Sequence, residues 1–543
     1  MQKAPGGGPV DRTPPTVSSV FPQADSLHIP ITLRQIRIRF SERMKRSSLV
    51  DNIFISPPVA YKVEWKGWDK LFLYLNDSLR TDQTYVISIA SGAADLHNNF
   101  MKQSYQFAFS TGNQIDQGSI AGKVYDLKRN QIVTIFAYDL SENKSFNPAQ
   151  EEPLYVSKSG KDGSFELNYL KDGLFRVLAV GDQNHNLLLD EAYEQVGFPY
   201  RDVLLKGTAN HFHNLNFRMT RLDSIAPRFT GLRPLLNTWL DLRFSEAVVA
   251  DSLNFSLVDS ASGQPHIILG KSADRQDHNV LNVFTQPLDS GRVYRFRLSG
   301  IRDSSGNVRD TVITDYFLGV NKRDTSRFKI LAWTPKDSSR NVSPRRSIYL
   351  EVNHPLFGKS LQKAFLLQRK DGTLWPGRWQ WKSLFQVRFV PDQIFTPDSS
   401  YEMTIPLNEV TDLWSAAMPD SLASHYFSIV SARTLGEISG TVVPSLQKDQ
   451  RLVLTLHSLR SSRNNYRFIL NGTSAFYFSC LPEGEYLLSA YLDLDKNERY
   501  SKGGLHPFVY SEPFLFSADT IKVRKRWEKS GLKFYFPQLK DSL

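Results

Sequence analysis

Ile36-Arg37-Ile38-Arg39-Phe40-Ser41-Glu42 alternates apolar and polar side chains and stops on a Ser-Glu pair; 204 residues later the chain repeats it as Leu240-Asp241-Leu242-Arg243-Phe244-Ser245-Glu246. Alternation with a period of two marks a strand that buries one face, because successive side chains point to opposite sides of a sheet. Each copy follows the same opening, Asp11-Arg12-Thr13-Pro14-Pro15 in one case and Asp223 to Pro227 in the other. Downstream, each has an apolar residue, a short turn and a strand that begins on tyrosine: Leu79 to Tyr85 and Leu288 to Tyr294, with a third instance at Ile394 to Tyr401. An Asp-containing turn comes next, at Asp95, Asp303 or Asp412, and an aromatic strand closes the unit, as in Tyr105 to Phe109 and His425 to Ile429. The third copy, from about Lys329, keeps Thr334-Pro335 and Tyr401 but carries Val352-Asn353-His354 in place of Phe-Ser-Glu. Short alternating strands reset by Gly, Asn, Asp and Pro turns predict antiparallel two-sheet sandwiches.

A second repeat begins with Gly118-Ser119-Ile120-Ala121-Gly122-Lys123-Val124 and returns as Gly436-Glu437-Ile438-Ser439-Gly440-Thr441-Val442, an offset of 318. Further on, Phe165 aligns with Phe476, Leu170-Lys171-Asp172-Gly173 with Leu481-Pro482-Glu483-Gly484, and Asp182 with Asp493, now at an offset of 311. Both copies therefore share a strand, a Leu-x-x-Gly turn and a further strand, Leu174 to Val180 or Glu485 to Tyr491.

The first repeat resembles the bacterial Ig-like domains of surface-layer and other envelope proteins, through its Asp-x-Thr-Pro-Pro opening and Phe-Ser-Glu strand. The second resembles the carboxypeptidase regulatory-like, or transthyretin-like, sandwich, which is an accessory to a peptidase and not its catalytic domain. The expected fold is all-β, a tandem array of five sandwiches: Ig-like over 12–113, transthyretin-like over 116–220, Ig-like over 222–320, a diverged Ig-like copy over 323–432 and transthyretin-like over 434–537, after a flexible tether over 1–11. The length of 543 residues agrees with several cores rather than one.

Asp182-Gln183-Asn184-His185-Asn186-Leu187-Leu188-Leu189-Asp190 is the sharpest local motif. Oxygen side chains at alternate positions, Asp182, Asn184, Asn186 and Asp190, are the pattern of a hard-cation loop, so calcium is the one cofactor considered. Leu187 stands where an EF-hand has glycine, and Asn and Asp also satisfy their own backbone in turns without any metal. The second copy keeps Asp493, Asp495 and Asn497 but has Ser501 in place of Asp190. The motif, followed by Gly197-Phe198, resembles sandwiches of Bacteroidetes-type envelope lipoproteins. That resemblance implies anchoring through a lipid-modified cysteine ahead of the Gly-Gly-Pro start, a cysteine this sequence does not contain.

Trp375, in the turn Trp375-Pro376-Gly377, and Trp379 are candidates for stacking on a sugar; core packing is the competing role, and it is the expected one for Trp65 and Trp381. His211-Phe212-His213 puts two imidazoles on one strand face without an evident third ligand. Cys480 is the only cysteine, which excludes disulfides and multi-thiolate metal sites, and its apolar setting reads as a buried structural thiol. No His-Glu-x-x-His, Gly-x-Ser-x-Gly or phosphate-cradling glycine loop occurs, and no nucleic-acid-binding motif. The net charge of +11 is spread along the chain, and no run of 18 apolar residues is present. The expectation is a protein without catalytic residues, at the cell envelope and facing the surface or periplasm, acting as a rigid string of modules for a protein or glycan partner. Any contact with a membrane would run through an upstream lipid anchor. A glycan-binding surface protein is the alternative.

Overall fold

The computed structural model describes residues 11–129, 131–141, 146–207, 210–223, 225–416, 418, 420–460 and 465–537; residues 1–10, most of the expected tether, lie outside it. Strands dominate, and the one α-helix among the described residues is the short Gly358–Ala364. The sheets fall into five groups along the chain, and no sheet takes strands from two groups.

Three groups share one plan. In the first, Val17–Phe21, Gln35–Phe40, Lys70–Leu75 and Tyr61–Lys66 lie side by side in that order, antiparallel throughout. Phe229–Leu236, Trp239–Phe244, Val280–Thr285 and Ile268–Ala273 repeat the order, as do Ile330–Thr334, Ile348–Val352, Gln386–Pro391 and Gly377–Ser383. The Phe-Ser-Glu strand is thus an inner strand, buried on one side: Ile36, Ile38 and Phe40 in the first copy, Leu240, Leu242 and Phe244 in the second. Its serine ties the neighbouring strand down, since Ser41 Oγ accepts the Thr16 N–H and Ser245 Oγ accepts the Arg228 N–H. Asn353 accepts the Lys329 N–H at 2.6 Å in the third copy, so Val-Asn-His keeps the bond with a different side chain.

The recurrent tyrosine has an equally local cause. Tyr85, Tyr294 and Tyr401 are buried, and each hydroxyl accepts the backbone N–H five residues earlier: Arg80 at 2.8 Å, Asp289 at 2.9 Å and Thr396 at 2.9 Å. The ring fills the core while its polar end satisfies the turn, a tyrosine corner used three times. Removing only the oxygen takes the acceptor from a part-buried N–H, so Tyr294→Phe is expected to destabilise its sandwich by about 0.5–1.5 kcal/mol, read as a lower denaturant midpoint.

The other two groups share a second plan. Gly118–Tyr125 pairs antiparallel with Ser164–Leu170 and parallel with His211–Phe212 and Phe217–Arg218. Leu435–Val443 likewise pairs antiparallel with Ala475–Pro482 and parallel with Glu528–Tyr535. Even an irregularity is copied: Tyr169 and Cys480, 311 residues apart, both take left-handed backbone (φ 62° and 57°) just before the Leu-x-x-Gly turn.

The groups follow one another along the chain as an array, and they also pack against one another. Side chains of the first sandwich, Val86 and Ala108, join the core of the second, and Lys158 Nζ donates to Asp51 O across that junction. The third and fourth meet through Trp239 against Phe385 and through Trp414 Nε1 donating to Thr285 O. Arg345 of the fourth donates to Ser479 of the fifth. The fifth then returns to the second. The reason lies in the outer face of the second sandwich's larger sheet, where Phe136, Tyr138, Leu178, Val180, Val196 and Phe198 form a separate apolar cluster. Leu505 and Phe508 of the fifth pack on it, and Tyr125 stacks on Phe516 at 4.8 Å. Exposed apolar surface of that kind drives association of neighbouring modules.

Candidate functional site

Two Asp/Asn loops leave equivalent strands, Gly173–Val180 and Gly484–Leu492, and have the same backbone shape. His185 and Leu187 take φ of 59° and 60°; their counterparts Lys496 and Glu498 take 58° and 62°. Leu187 therefore adopts the left-handed conformation that glycine holds in an EF-hand, despite its side chain.

In the first loop the oxygens are spent on the loop itself. Asp182 Oδ1 and Asn184 Oδ1 both accept the Asn186 N–H, and Asn186 Oδ1 accepts that of Leu188. Asn184 Nδ2 donates to Asp190 Oδ2 at 2.9 Å. Glu194 closes the loop by accepting from Gln183 N and Asp190 N. Burial pushes the pKa values of Asp182 and Glu194 up from the usual carboxylate range. The four side chains of the motif are thus brought together, with amides and backbone donors between their oxygens.

The second loop differs. Asn497 Oδ1 accepts the Arg499 N–H and its amide donates to Asp495, so the asparagine faces its own backbone and neighbour. Glu512 takes its place: carboxylate oxygens of Asp493, Asp495 and Glu512 all lie within 4.8 Å of one another. Glu512 accepts from Leu494 N at 2.7 Å and Ser501 N at 2.9 Å, the same roles Glu194 has in the first loop. Burial, reinforced by the charges of Asp495 and Asp493, pushes its pKa up to about 7. Asp493 is buried; its Oδ2 accepts the Glu498 N–H and faces Arg451 Nε at 3.5 Å, while Oδ1 has no hydrogen-bond partner among the described residues. The sequence pattern misses Glu512 because ten residues separate it from Ser501, where three separate Glu194 from Asp190.

Trp375 is half-buried rather than open, with its Nε1 donating to Gln393 O and its ring against Phe395 and Tyr401. Trp379 packs edge-on to Phe365 and Phe389. Both rings serve the fourth core, as do Trp333 and Trp381. His211 Nδ1 lies 2.8 Å from Ser119 Oγ, on an edge strand. Cys480 is half-buried, and burial raises its thiol pKa.

A cluster that the sequence reading did not assemble sits at one end of the Ig-like plan. Asp223, Glu246 and Asp303 approach within 4.8 Å, joining the opening, the Phe-Ser-Glu strand and the Asp-turn; in the first copy Asp11, Asp95 and His97 approach as closely and join the opening to the Asp-turn. Its bonds are structural: Asp303 accepts from Asn307 N and Nδ2, and Asn307 Nδ2 also donates to Asp223 O, pinning the opening segment. Asn99 does the same between Asp95 and Asp11. In the third copy His354 replaces the glutamate and lies 4.0 Å from Asp324.

The opening, the tied strand, the tyrosine corner and the Asn-pinned turn together define one module type. Residues 11–111 and 324–428 match the family model of the bacterial Ig-like domain. Between them, segment 229–318 carries the same strand order and tyrosine corner. Among solved structures, the N-terminal part of the bacterial S-layer protein SbsC is 13% identical, with 38% of this chain and 44% of that chain covered at a TM-score of 0.17. This chain thus spans less than half of that structure. Domains 1–6 of SbsC cover 95% of this chain and 67% of theirs at 8% identity and a TM-score of 0.15. L,D-transpeptidase 3 from Mycobacterium tuberculosis covers 27% of this chain and 46% of its own at 11% identity and a TM-score of 0.15. Scores this low do not superpose the chains as wholes, and nothing about function follows from them. No curated protein matches the chain.

Proposed function

We propose that this chain is a non-catalytic structural or interaction protein of the bacterial cell envelope, a multi-domain scaffold that presents surface loops to a protein or glycan partner. The observation that carries the reading is the locking of the sandwiches to one another. Core side chains are shared across the first junction, rings interleave at the third–fourth junction, and the fifth sandwich closes back on the second. A chain joined in this way holds its loops at fixed separations, which is the property a scaffold needs and a set of loosely linked modules lacks. The two matches to the bacterial Ig-like domain support the envelope location. Anchoring through an upstream lipid is part of the same proposal. The spread of 66 basic residues along the chain suits contact with anionic envelope polymers.

Fractionation of producing cells, combined with protease treatment of intact cells and cross-linking in place, tests the proposal. Recovery in the envelope fraction with cross-links to an envelope component is the expected result. Recovery in the soluble cytoplasmic fraction would refute it.

A further inference from the structure

We propose that Asp493, Asp495 and Glu512 bind a calcium ion, and that this ion fastens the segment through which the fifth sandwich docks on the second. Three carboxylates within 4.8 Å are by themselves no site, since carboxylates gather at the ends of the Ig-like sandwiches too, with asparagine amides and backbone donors among them. What sets this one apart is Asp493. Its side chain is fully buried, and among the described residues Oδ1 has no hydrogen-bond partner, while the neighbouring guanidinium of Arg451 lies on the Oδ2 side. A buried carboxylate oxygen without a donor is costly, and a cation supplies what is missing. Each Glu512 oxygen accepts one N–H and retains a second lone pair. The donors are all hard carboxylate oxygens, a set that suits calcium better than zinc or copper.

The position of Glu512 gives the ion a consequence. The ten residues between Ser501 and Glu512 are the docking segment itself. Phe508 packs on Phe198, His506 Nε2 lies 3.0 Å from Glu191, and Ser511 Oγ donates to Phe198 O at 3.0 Å. Tyr510 OH donates to Asp202 at 2.6 Å. An ion shared by Asp493 and Asp495 on one side and Glu512 on the other joins the two ends of this segment and shortens the excursions it makes away from the second sandwich.

The full chain, stripped with EDTA, is titrated with calcium and with magnesium by calorimetry and by displacement of terbium, whose luminescence Tyr491 and Tyr500 sensitise; deuterium exchange of 502–511 is followed alongside. One calcium per chain with Kd below about 1 mM, weaker magnesium, and slower exchange in 502–511 on binding are expected. Asp495→Asn, at an exposed position, and Glu512→Gln each weaken calcium at least about tenfold and remove the exchange effect. Asp182→Asn in the first loop changes neither. No heat and no terbium signal at about 10 mM ion overturns the site, as does binding that survives D495N/E512Q or depends on Asp182. Equal affinity for magnesium overturns the assignment to calcium. Binding that leaves exchange in 502–511 unchanged overturns the fastening role.

Discussion

Gly440→Ala prevents the fifth sandwich from folding, and Gly122→Ala does the same to the second. A β-carbon at Gly122 would lie 2.0 Å from Leu215 O and 2.6 Å from Leu215 C; at Gly440 it would lie 2.4 Å from Leu532 O and 2.6 Å from Phe476 Cζ. In both cases the obstacle is backbone: at Gly440 that of the parallel strand Glu528–Tyr535, at Gly122 that of Leu215 in the link between the two short parallel strands, so no rotamer change makes room. Overpacking a core against side chains costs about 1–3 kcal/mol, and collision with a hydrogen-bonded backbone lies beyond that range. For a module of this size the loss is a large share of about 5–15 kcal/mol of total stability. Thermal unfolding followed by far-ultraviolet circular dichroism should lose the transition of the affected sandwich. Gly263→Ala is the control: nothing lies within 4 Å of its added carbon, and only its φ of +70° opposes the change, at about 1–2 kcal/mol.

Arg176→Ala releases the fifth sandwich from the second. The guanidinium makes two bonds of 2.7 Å to Asp202, donates to Tyr510 OH at 3.0 Å and lies 3.9 Å from the centre of the Phe508 ring. Arginine and aspartate side chains are each only 13% exposed, so truncation leaves Asp202 charged and largely buried with Tyr510 as its remaining donor. Breaking a buried pair in this way costs about 3–5 kcal/mol. Hydrogen exchange should rise in 502–511 and on the outer sheet of the second sandwich while both cores keep their protection. A double-mutant cycle of Arg176→Ala with Tyr510→Phe should return a coupling of about 0.5–3 kcal/mol; additivity would show that the two groups act separately.

What the sequence disclosed and what it concealed follow from the range of the forces involved. Phe40-Ser41-Glu42, the tyrosine five residues after its bonded N–H, and the glycine pair Gly118 and Gly122 all express contacts within one sheet or one turn, so the residues recur wherever the module does. The functions of Gly122 and its counterpart Gly440 were not legible, because the backbone each accommodates arrives about 90 residues later, at Leu215 and Leu532 respectively. Asn353 shows the reverse case: it looks like a lost motif, yet its amide keeps the bond that serine makes elsewhere. The carboxylate group at the second Asp/Asn loop was half legible. Asp493 and Asp495 stand at their expected places, Asn497 is turned away, and Glu512 is hidden behind the extra residues that broke the alignment of the two copies. Those residues are the ones that dock on the second sandwich, so the feature that obscured the repeat is also the one that bends the array back on itself.

That return is the central claim, and a distance measured between the two sandwiches tests it most directly. Nitroxide labels at Tyr193, 71% exposed on the second sandwich, and at Lys502, exposed on the fifth, can be placed in a Cys480→Ser background and read by double electron–electron resonance. A single narrow, short-distance peak that broadens on Arg176→Ala is the predicted result. A broad distribution reaching to long separations in the unaltered chain would mean that the modules hang as an open string, and would contradict the account.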